Sequence, residues 1–301
     1  MIVRDHLPFK RIWPMVAQRL ALLFIFDASV ALLYKLAGWS FLALPGLPLT
    51  TMGSAIGIFL AFRTNSAYER WWEARILWGG LVNASRTFAR QVLTLIDGNT
   101  IGEPSLLQKR LLNLHLGFVT AFRCHLRKQN AFPELKAQLG NQMTEDLRKY
   151  GNVPSAILLR SAETLRQARE QGLISDYRSI QIDTTLTDLT NILGACERIK
   201  STPLPRQYDF FPRILITIYC LLLPFGLVEG MGLLTPLAST VVSFMFIALD
   251  TVGREIESPF ENTVHDTPLT SLSRSIEINL RQLFGDKSVP SEVQPVDGFL
   301  Y

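Results

Sequence analysis

Four acidic side chains in the segment "EIESPFENTVHDTPL" (255–269) have the chemistry of ligands for a hard cation: Glu255, Glu257, Glu261 and Asp266. Such cations prefer carboxylate and other oxygen ligands. However, Pro259 and Pro268 make this segment a rigid turn, and acidic residues in a turn are usually solvated. The sequence therefore favours a solvated turn over a metal site.

The remaining chemistry-bearing residues form no catalytic pattern. The four histidines are scattered and the three cysteines lie far apart, although His115, Cys124 and His125 share one amphipathic stretch. A packing role for these three is favoured over a metal site. The chain has no P-loop, dinucleotide fingerprint, nucleophile elbow or zinc-protease motif. We therefore predict a protein that is not an enzyme and that has no cofactor and no bound metal.

Two polar features interrupt otherwise apolar stretches. Asp27 lies in the middle of an apolar segment, where a carboxyl is costly unless it is paired or faces water. A structural pairing with a neighbouring helix is the favoured interpretation, and a role in an ion path is the alternative. In the second segment, Ser54, Ile58 and Phe62 recur every four residues. This stripe fits ordinary packing or lipid contact, or the lining of a pore whose apolar rings exclude water.

Four apolar segments are near the roughly 20 residues that a helix needs to cross a bilayer. Hydrophobic residues make up 48% of the 301-residue chain, but they are concentrated in these segments, which argues against an evenly buried soluble core. The segments are residues 20–39, 49–62, 210–230 and 231–253. In the second of them, Gly53, Gly57 and Ala61 form a stripe of small residues that allows helices to approach closely.

Lysine and arginine are placed asymmetrically around these segments. They precede the first and third segments and follow the second and fourth, whereas the turns at about 36–48 and 227–236 have none. The positive-inside rule then places both termini and the long middle region in the cytoplasm. A helix beginning in the second segment is expected to continue without a break into the charged stretch that ends near Arg75.

These features predict an all-α membrane protein with five regions along the chain. They are a cytoplasmic N-terminal tail (1–19), two transmembrane helices with a cytosolic extension (20–95), a cytosolic helical bundle (96–207), two further transmembrane helices (208–254) and a cytosolic C-terminal segment and tail (255–301). In the bundle, Pro154 suits the first turn of a helix.

Three stretches in this order resemble the prokaryotic branch of the bestrophin family. They are "FLAFRTNSAYERWWEARILWG" (59–79), "CERIKSTPLPRQYDFFPRIL" (196–215) and "IESPFENTVHDTPL" (256–269), and the likeness extends over about residues 5–285. The resemblance implies a homopentameric ion channel with four transmembrane helices per subunit, a helical cytosolic part and an axial pore. It also implies a bacterial inner-membrane location, with inorganic monovalent ions and membrane lipid as partners and no nucleic acid.

The resemblance also assigns pore residues. The family's hydrophobic neck has residues at four-residue spacing, the last of them eight positions before an Arg-Trp-Trp motif, which places it at Ser54, Ile58 and Phe62. Ser54 departs from the usual apolar type, so Ile58 and Phe62 are expected to form the barrier. The family's second, cytosolic constriction falls at Thr185, with Ile182 or Ile180 as alternatives because the register is open.

Ion preference and gating follow from the same resemblance. Animal bestrophins bind calcium through a dense acidic run after a Pro-Phe pair, and "PFENTVHD" (259–266) keeps only Glu261 and Asp266 of such a run. We therefore expect no gating by calcium, and a slight preference for monovalent cations over chloride. The rivals are a membrane-anchored scaffold or signalling protein without ion conduction, and a secondary transporter, which the lack of internal repeats disfavours.

Overall fold

The computed structural model describes residues 9–97 and 104–301, and these residues form an all-helical protein. Ten α-helices follow one another in the described ranges: α1 (Phe9–Leu36), α2 (Leu49–Leu95), α3 (Leu106–Leu126), α4 (Phe132–Leu139), α5 (Asn141–Leu147), α6 (Val153–Glu170), α7 (Asp176–Ser201), α8 (Arg206–Met231), α9 (Thr235–Glu257) and α10 (Leu269–Leu283). The expected all-α class is confirmed, and no strand occurs in the described ranges.

Helix α2 confirms the expected unbroken helix. Its 47 residues extend from Leu49 to Leu95, about 70 Å at the usual rise per residue. It contains no proline, and its apolar first half passes directly into a half rich in Arg and Glu. The helix begins at Leu49, just after Pro48, whose fixed backbone suits a helix start.

The chain divides into two compact units. One includes Trp72–Thr202 and Pro259–Tyr301, and the other includes the described residues up to Trp71 together with Pro203–Ser258. Helix α2 therefore contributes residues to both units. The expected N-terminal tail of residues 1–19 lies partly outside the described residues, and helix α1 already begins at Phe9 within it.

The larger unit has a helical core around α3. That helix begins with a capping box, in which the Ser105 hydroxyl accepts a hydrogen bond from the Gln108 backbone and the Gln108 side chain accepts one from the Ser105 backbone. The Gln108 amide also donates to the carbonyls of Val92 and Ile96, which ties the end of α2 to the start of α3. Pro154 lies in the first turn of α6, as expected.

The smaller unit has its own apolar core from α1, the first half of α2, α8 and α9. Buried members include Leu20, Ile56, Ile216 and Ile247. Within residues 9–97 and 104–301, two helical stretches are long and apolar enough to cross a membrane, Val16–Leu36 and one within Asp176–Glu257.

Candidate functional site

One face of the first half of α2 is bare. The side chains of Ile58 and Phe62 are 60% and 68% exposed, and Ser54 is exposed one turn earlier. The opposite face packs into the smaller unit through Ile56 and Leu60, which are buried. Large apolar side chains on one bare helix face need a cover of lipid, apolar protein or a dry pore.

Ser54 is less polar in this position than its residue type indicates. Its hydroxyl donates a hydrogen bond of 2.9 Å to the Thr50 carbonyl on the preceding turn. The only hydroxyl hydrogen is then occupied within the helix, although its lone pairs stay open. The three expected neck residues therefore form one continuous stripe, with two large apolar members and one weakly polar member.

The members of the small-residue stripe differ in how closely they pack within the chain. A side chain at Gly53 would place its Cβ 2.8 Å from the hydroxyl oxygen of Tyr219 on α8, so that glycine is required for the close packing of α2 and α8. Nothing lies within 4 Å of the same position at Gly57. Gly57 and the exposed Ala61 therefore lie beside the bare stripe.

Below the stripe, an ionic network holds α2 to α8 and α9. The Arg63 guanidinium is only 1% exposed, and it donates to the carboxylates of Asp250 and Asp209 at 3.0 Å each and of Glu257 at 3.5 Å. Asp209 also pairs with Arg213, and Asp250 also pairs with Arg254. Since a buried charge requires partners, this network fixes the α2 face that points away from Ile58 and Phe62.

Sequence reasoning did not find this network. Arg63 is one arginine among many that follow the second apolar segment, and Asp250 stands 187 positions later. The available signal was that Arg63 lies on the side of α2 that its apolar residues predict to be packed. The next arginine, Arg70, donates from its Nε to the Glu257 carbonyl at 3.1 Å, which is a second link between α2 and the end of α9.

The three candidates for the cytosolic constriction differ in exposure. Ile182 and Thr185 are buried, and the Thr185 hydroxyl donates to the Gln91 side chain at 2.8 Å. Ile180 is 63% exposed on α7. A constriction requires side chains that reach an open space, so Ile180 is the only one of these three whose side chain has that freedom.

The acidic segment after α9 has protein partners. Glu261 pairs with Lys200 at 2.6 Å, and Asp266 accepts hydrogen bonds from the backbone and hydroxyl of Thr263. In residues 9–97 and 104–301, no group of three or more His, Cys, Asp or Glu side chains is arranged to hold a metal ion.

His115 lies in the core of the larger unit. Its Nε2 is 2.9 Å from the Ser85 hydroxyl, which itself donates to the Leu81 carbonyl, so Nε2 carries the proton. The ring stacks on Phe88 with a centroid separation of 5.0 Å. Burial lowers the pKa of His115 to about 3, so the imidazole is neutral. Cys124, on the same helix, is a buried free thiol.

Comparison with known proteins gives one consistent result. A family model described as "Bacterial/Fungal Bestrophin protein" matches residues 9–282. An Escherichia coli protein named "Voltage-dependent anion channel-forming protein YneE" is 35% identical over 93% of this chain and 90% of its own length. A Ralstonia nicotianae protein, also named a voltage-dependent anion channel-forming protein, is 33% identical over 97% of each chain.

Solved structures agree with the sequence comparison. The crystal structure of a bacterial bestrophin homologue from Klebsiella pneumoniae superposes with a TM-score of 0.84 at 29% identity, covering 91% of this chain and all of that one. The expected preference for monovalent cations finds no support in these comparisons, because the relatives' names refer to anions.

Proposed function

Because the chain belongs to the bacterial and fungal bestrophin family, we propose that it forms a passive ion channel in the bacterial inner membrane. Proteins of this family are membrane ion channels and not enzymes. The observation that carries the proposal is the bare apolar stripe of α2, formed by Ser54, Ile58 and Phe62. A lone subunit leaves this stripe uncovered, whereas a ring of subunits turns it towards a shared axis.

The stripe is the neck of the proposed pore. Apolar rings of Ile58 and Phe62 from several subunits form a wall that water wets poorly, so ion passage requires widening or wetting of the neck. The Arg63 network supports this arrangement, because it anchors the opposite side of the same helix to α8 and α9. Gly57 and Ala61 are small enough to let a neighbouring α2 come close beside the stripe.

The assembly is a homopentamer with four transmembrane helices per subunit and both termini in the cytoplasm. The pentamer is what the resemblance to the family implies, and the orientation is supported by the distribution of Lys and Arg around the apolar segments. Ile180 forms the second constriction, since its side chain is exposed while Ile182 and Thr185 are buried.

Anions are the conducted ions in this proposal. Its support is the name shared by the Escherichia coli and Ralstonia nicotianae relatives, which cover most of this chain. This assignment replaces the preference for monovalent cations. Calcium has no gating role, because Glu261 is paired with Lys200 and Asp266 with Thr263, whereas a calcium site needs six or more oxygen ligands.

A reversal potential measured in planar bilayers tests channel activity and ion preference together. Purified protein is reconstituted under a KCl gradient, and protein-free bilayers serve as the control. We expect a steady current whose reversal potential lies near the chloride equilibrium potential. A reversal potential near the potassium value would overturn the anion assignment, and an intact oligomer that passes no current would overturn the channel itself.

A further inference from the structure

A carboxyl group is buried without a partner in the smaller unit. Asp27 lies near the middle of the apolar stretch Val16–Leu36 of α1, and it is 0% exposed. Neither of its carboxylate oxygens has a hydrogen-bond partner among the described residues. A carboxylate in such a place requires a counter-charge or several polar contacts. The Arg63 network does not supply them, because its described partners are other carboxylates.

Helix α9 carries three hydroxyl oxygens near the same level, those of Ser239, Thr240 and Ser243, and Thr240 is only half-buried. The end of α1 lies near the start of α9, because the Lys35 side chain approaches Gly232 just before α9. The earlier part of α1 lies near the end of α9, where one cavity is lined by Leu22 and Leu23 of α1 and by Ile247 and Asp250 of α9. The two helices are therefore antiparallel, and the α9 residues opposite Asp27 are Ser239 to Ser243. Ser239 and Ser243 are both fully buried. Among the described residues the Ser239 hydroxyl has no hydrogen-bond partner, and the Ser243 hydroxyl has only the Cys220 thiol, a weak one, within reach.

Helix α8 contributes a small neutral residue beside Asp27 and Ser243. Cys220 is buried and lies within electrostatic range of Asp27 and close to Ser243. It brings no positive charge to the cluster. By the register of α1 and α9, four buried oxygen atoms lie at one level of these helices: both of Asp27 and one each of Ser239 and Ser243.

We propose that Asp27, Ser239 and Ser243 bind one sodium ion. A protonated carboxyl would offer a single hydrogen and leave most of these lone pairs unused, whereas a small hard cation takes carboxylate and hydroxyl oxygens together and supplies the missing charge. One carboxylate balances a monovalent ion and leaves a divalent ion underbalanced. The site is separate from the bare stripe of α2, and it does not depend on ion conduction by the pore.

A cavity approaches the site from one end of the helices. A cavity of about 380 Å³ is bordered by Leu23, one turn before Asp27, by Cys220, and by Ile247, one turn after Ser243. Its polar end has Arg19, Arg213 and Asp250, so charges of both signs surround the entrance. The cavity is large enough for several waters, so a hydrated ion comes within one helical turn of Asp27.

Thermal unfolding of the purified full-length oligomer tests the site. The midpoint Tm is measured in increasing NaCl, with choline chloride replacing it at constant ionic strength. Sodium binding to the folded state is expected to raise Tm by about 2–4 °C once the sodium concentration exceeds Kd by roughly tenfold or more, and Tm should go on rising with the logarithm of the concentration. Asp27→Asn should abolish this rise. Ser29→Ala, which removes an exposed hydroxyl already bonded to the Ile25 carbonyl on the same helix, should leave it unchanged.

Ser243→Ala provides a second test that is independent of the folding of the Asp27 variant. Loss of one hydroxyl ligand should weaken sodium binding, so that roughly tenfold more sodium is needed for the same rise in Tm and the rise at any one sodium concentration is smaller. A wild-type Tm that is equal in sodium and choline would overturn the proposal. An undiminished sodium shift in either the Asp27→Asn or the Ser243→Ala variant would overturn it too.

Discussion

At the scale of single residues, Arg63 is the side chain on which the packing of the smaller unit depends most directly. Its guanidinium is buried and faces Asp209, Asp250 and Glu257. A buried ion pair is a weak source of net stability when compared with apolar packing, but breaking one side of it is costly. The network therefore acts chiefly by fixing one geometry of α2.

Replacing Arg63 should show that cost. Arg63→Met leaves three acidic groups without their shared cation, and we expect a loss of about 3–5 kcal/mol in the free energy of unfolding. Arg166→Met is the matched control, because Arg166 is an exposed arginine paired with the exposed Glu170, and its loss should cost at most about 1 kcal/mol. Denaturant titration of the two purified variants measures both values. Equal losses of unfolding free energy in the two variants would show that the buried network contributes no more than an exposed ion pair.

His115 predicts a pH dependence of stability. Its pKa is lowered from 6.5 to about 3 in the folded protein because burial disfavours the charged ring. Below pH 6.5 the unfolded chain takes up a proton that the folded protein does not bind until about pH 3. The stability that comes from burying a neutral ring is therefore complete above pH 6.5 and is lost as the pH falls, by about 1.4 kcal/mol per pH unit.

A histidine substitution isolates this contribution. In His115→Phe, the decline of Tm between pH 6.5 and pH 5 should become shallower than in the wild type. Thermal unfolding monitored by circular dichroism at several pH values provides the comparison. An unchanged slope in His115→Phe would mean that the ring titrates normally in the folded protein.

At the scale of elements, the two glycines of the α2 stripe have different surroundings. Gly53 packs directly against Tyr219 of α8, whereas Gly57 has open space within the chain. Gly53→Val should therefore lower stability by about 1–3 kcal/mol through overpacking. Gly57→Val introduces the same side chain into the same helix and should cost less in the dissociated subunit, where nothing lies within 4 Å of that position. The thermal midpoints of the two variants measure the difference. A larger fall in Tm for Gly57→Val than for Gly53→Val would contradict the assigned packing of α2 on α8.

The helices themselves could be predicted well from sequence because their signals are local. The uninterrupted α2, the proline at the start of α6 and the all-α class all follow from periodicity and the positions of proline. The start of α1 could not be placed, because the polar and basic residues after Phe9 resemble a tail although they are helical. Composition alone does not distinguish an exposed helix end from an extended segment.

The candidate site was less accessible to sequence reasoning because it depends on long-range contacts. The four-residue spacing of Ser54, Ile58 and Phe62 was visible, and the structure leaves this stripe bare. The partnership of Arg63 with Asp250 was not visible, because it joins residues 187 positions apart. Similarly, the sequence placed the second constriction at Thr185 with Ile182 or Ile180 as alternatives, and only burial separates the exposed Ile180 from the other two.

At the scale of the whole molecule, family membership and the bare stripe lead to the same conclusion. A subunit that leaves Ile58 and Phe62 exposed is incomplete alone, and the relatives with this fold are named as channel-forming proteins. We therefore expect function to require an assembled ring in which the stripes face one another. Ion preference was the part of the function for which the comparisons gave the sequence-based expectation no support, and the overall charge of +4 does not report the few charges that face a pore.

The most direct test of this account is the conductance of the double variant Ile58→Ala with Phe62→Ala in planar bilayers. Removing the two large side chains widens and wets the neck, so we expect a conductance clearly above that of the wild type while the oligomer stays assembled. The matched control is Phe24→Ala with Ile25→Ala, which removes the same residue types from exposed positions on α1 and should leave conductance unchanged. A correctly assembled neck variant with wild-type current would contradict the assignment of the pore.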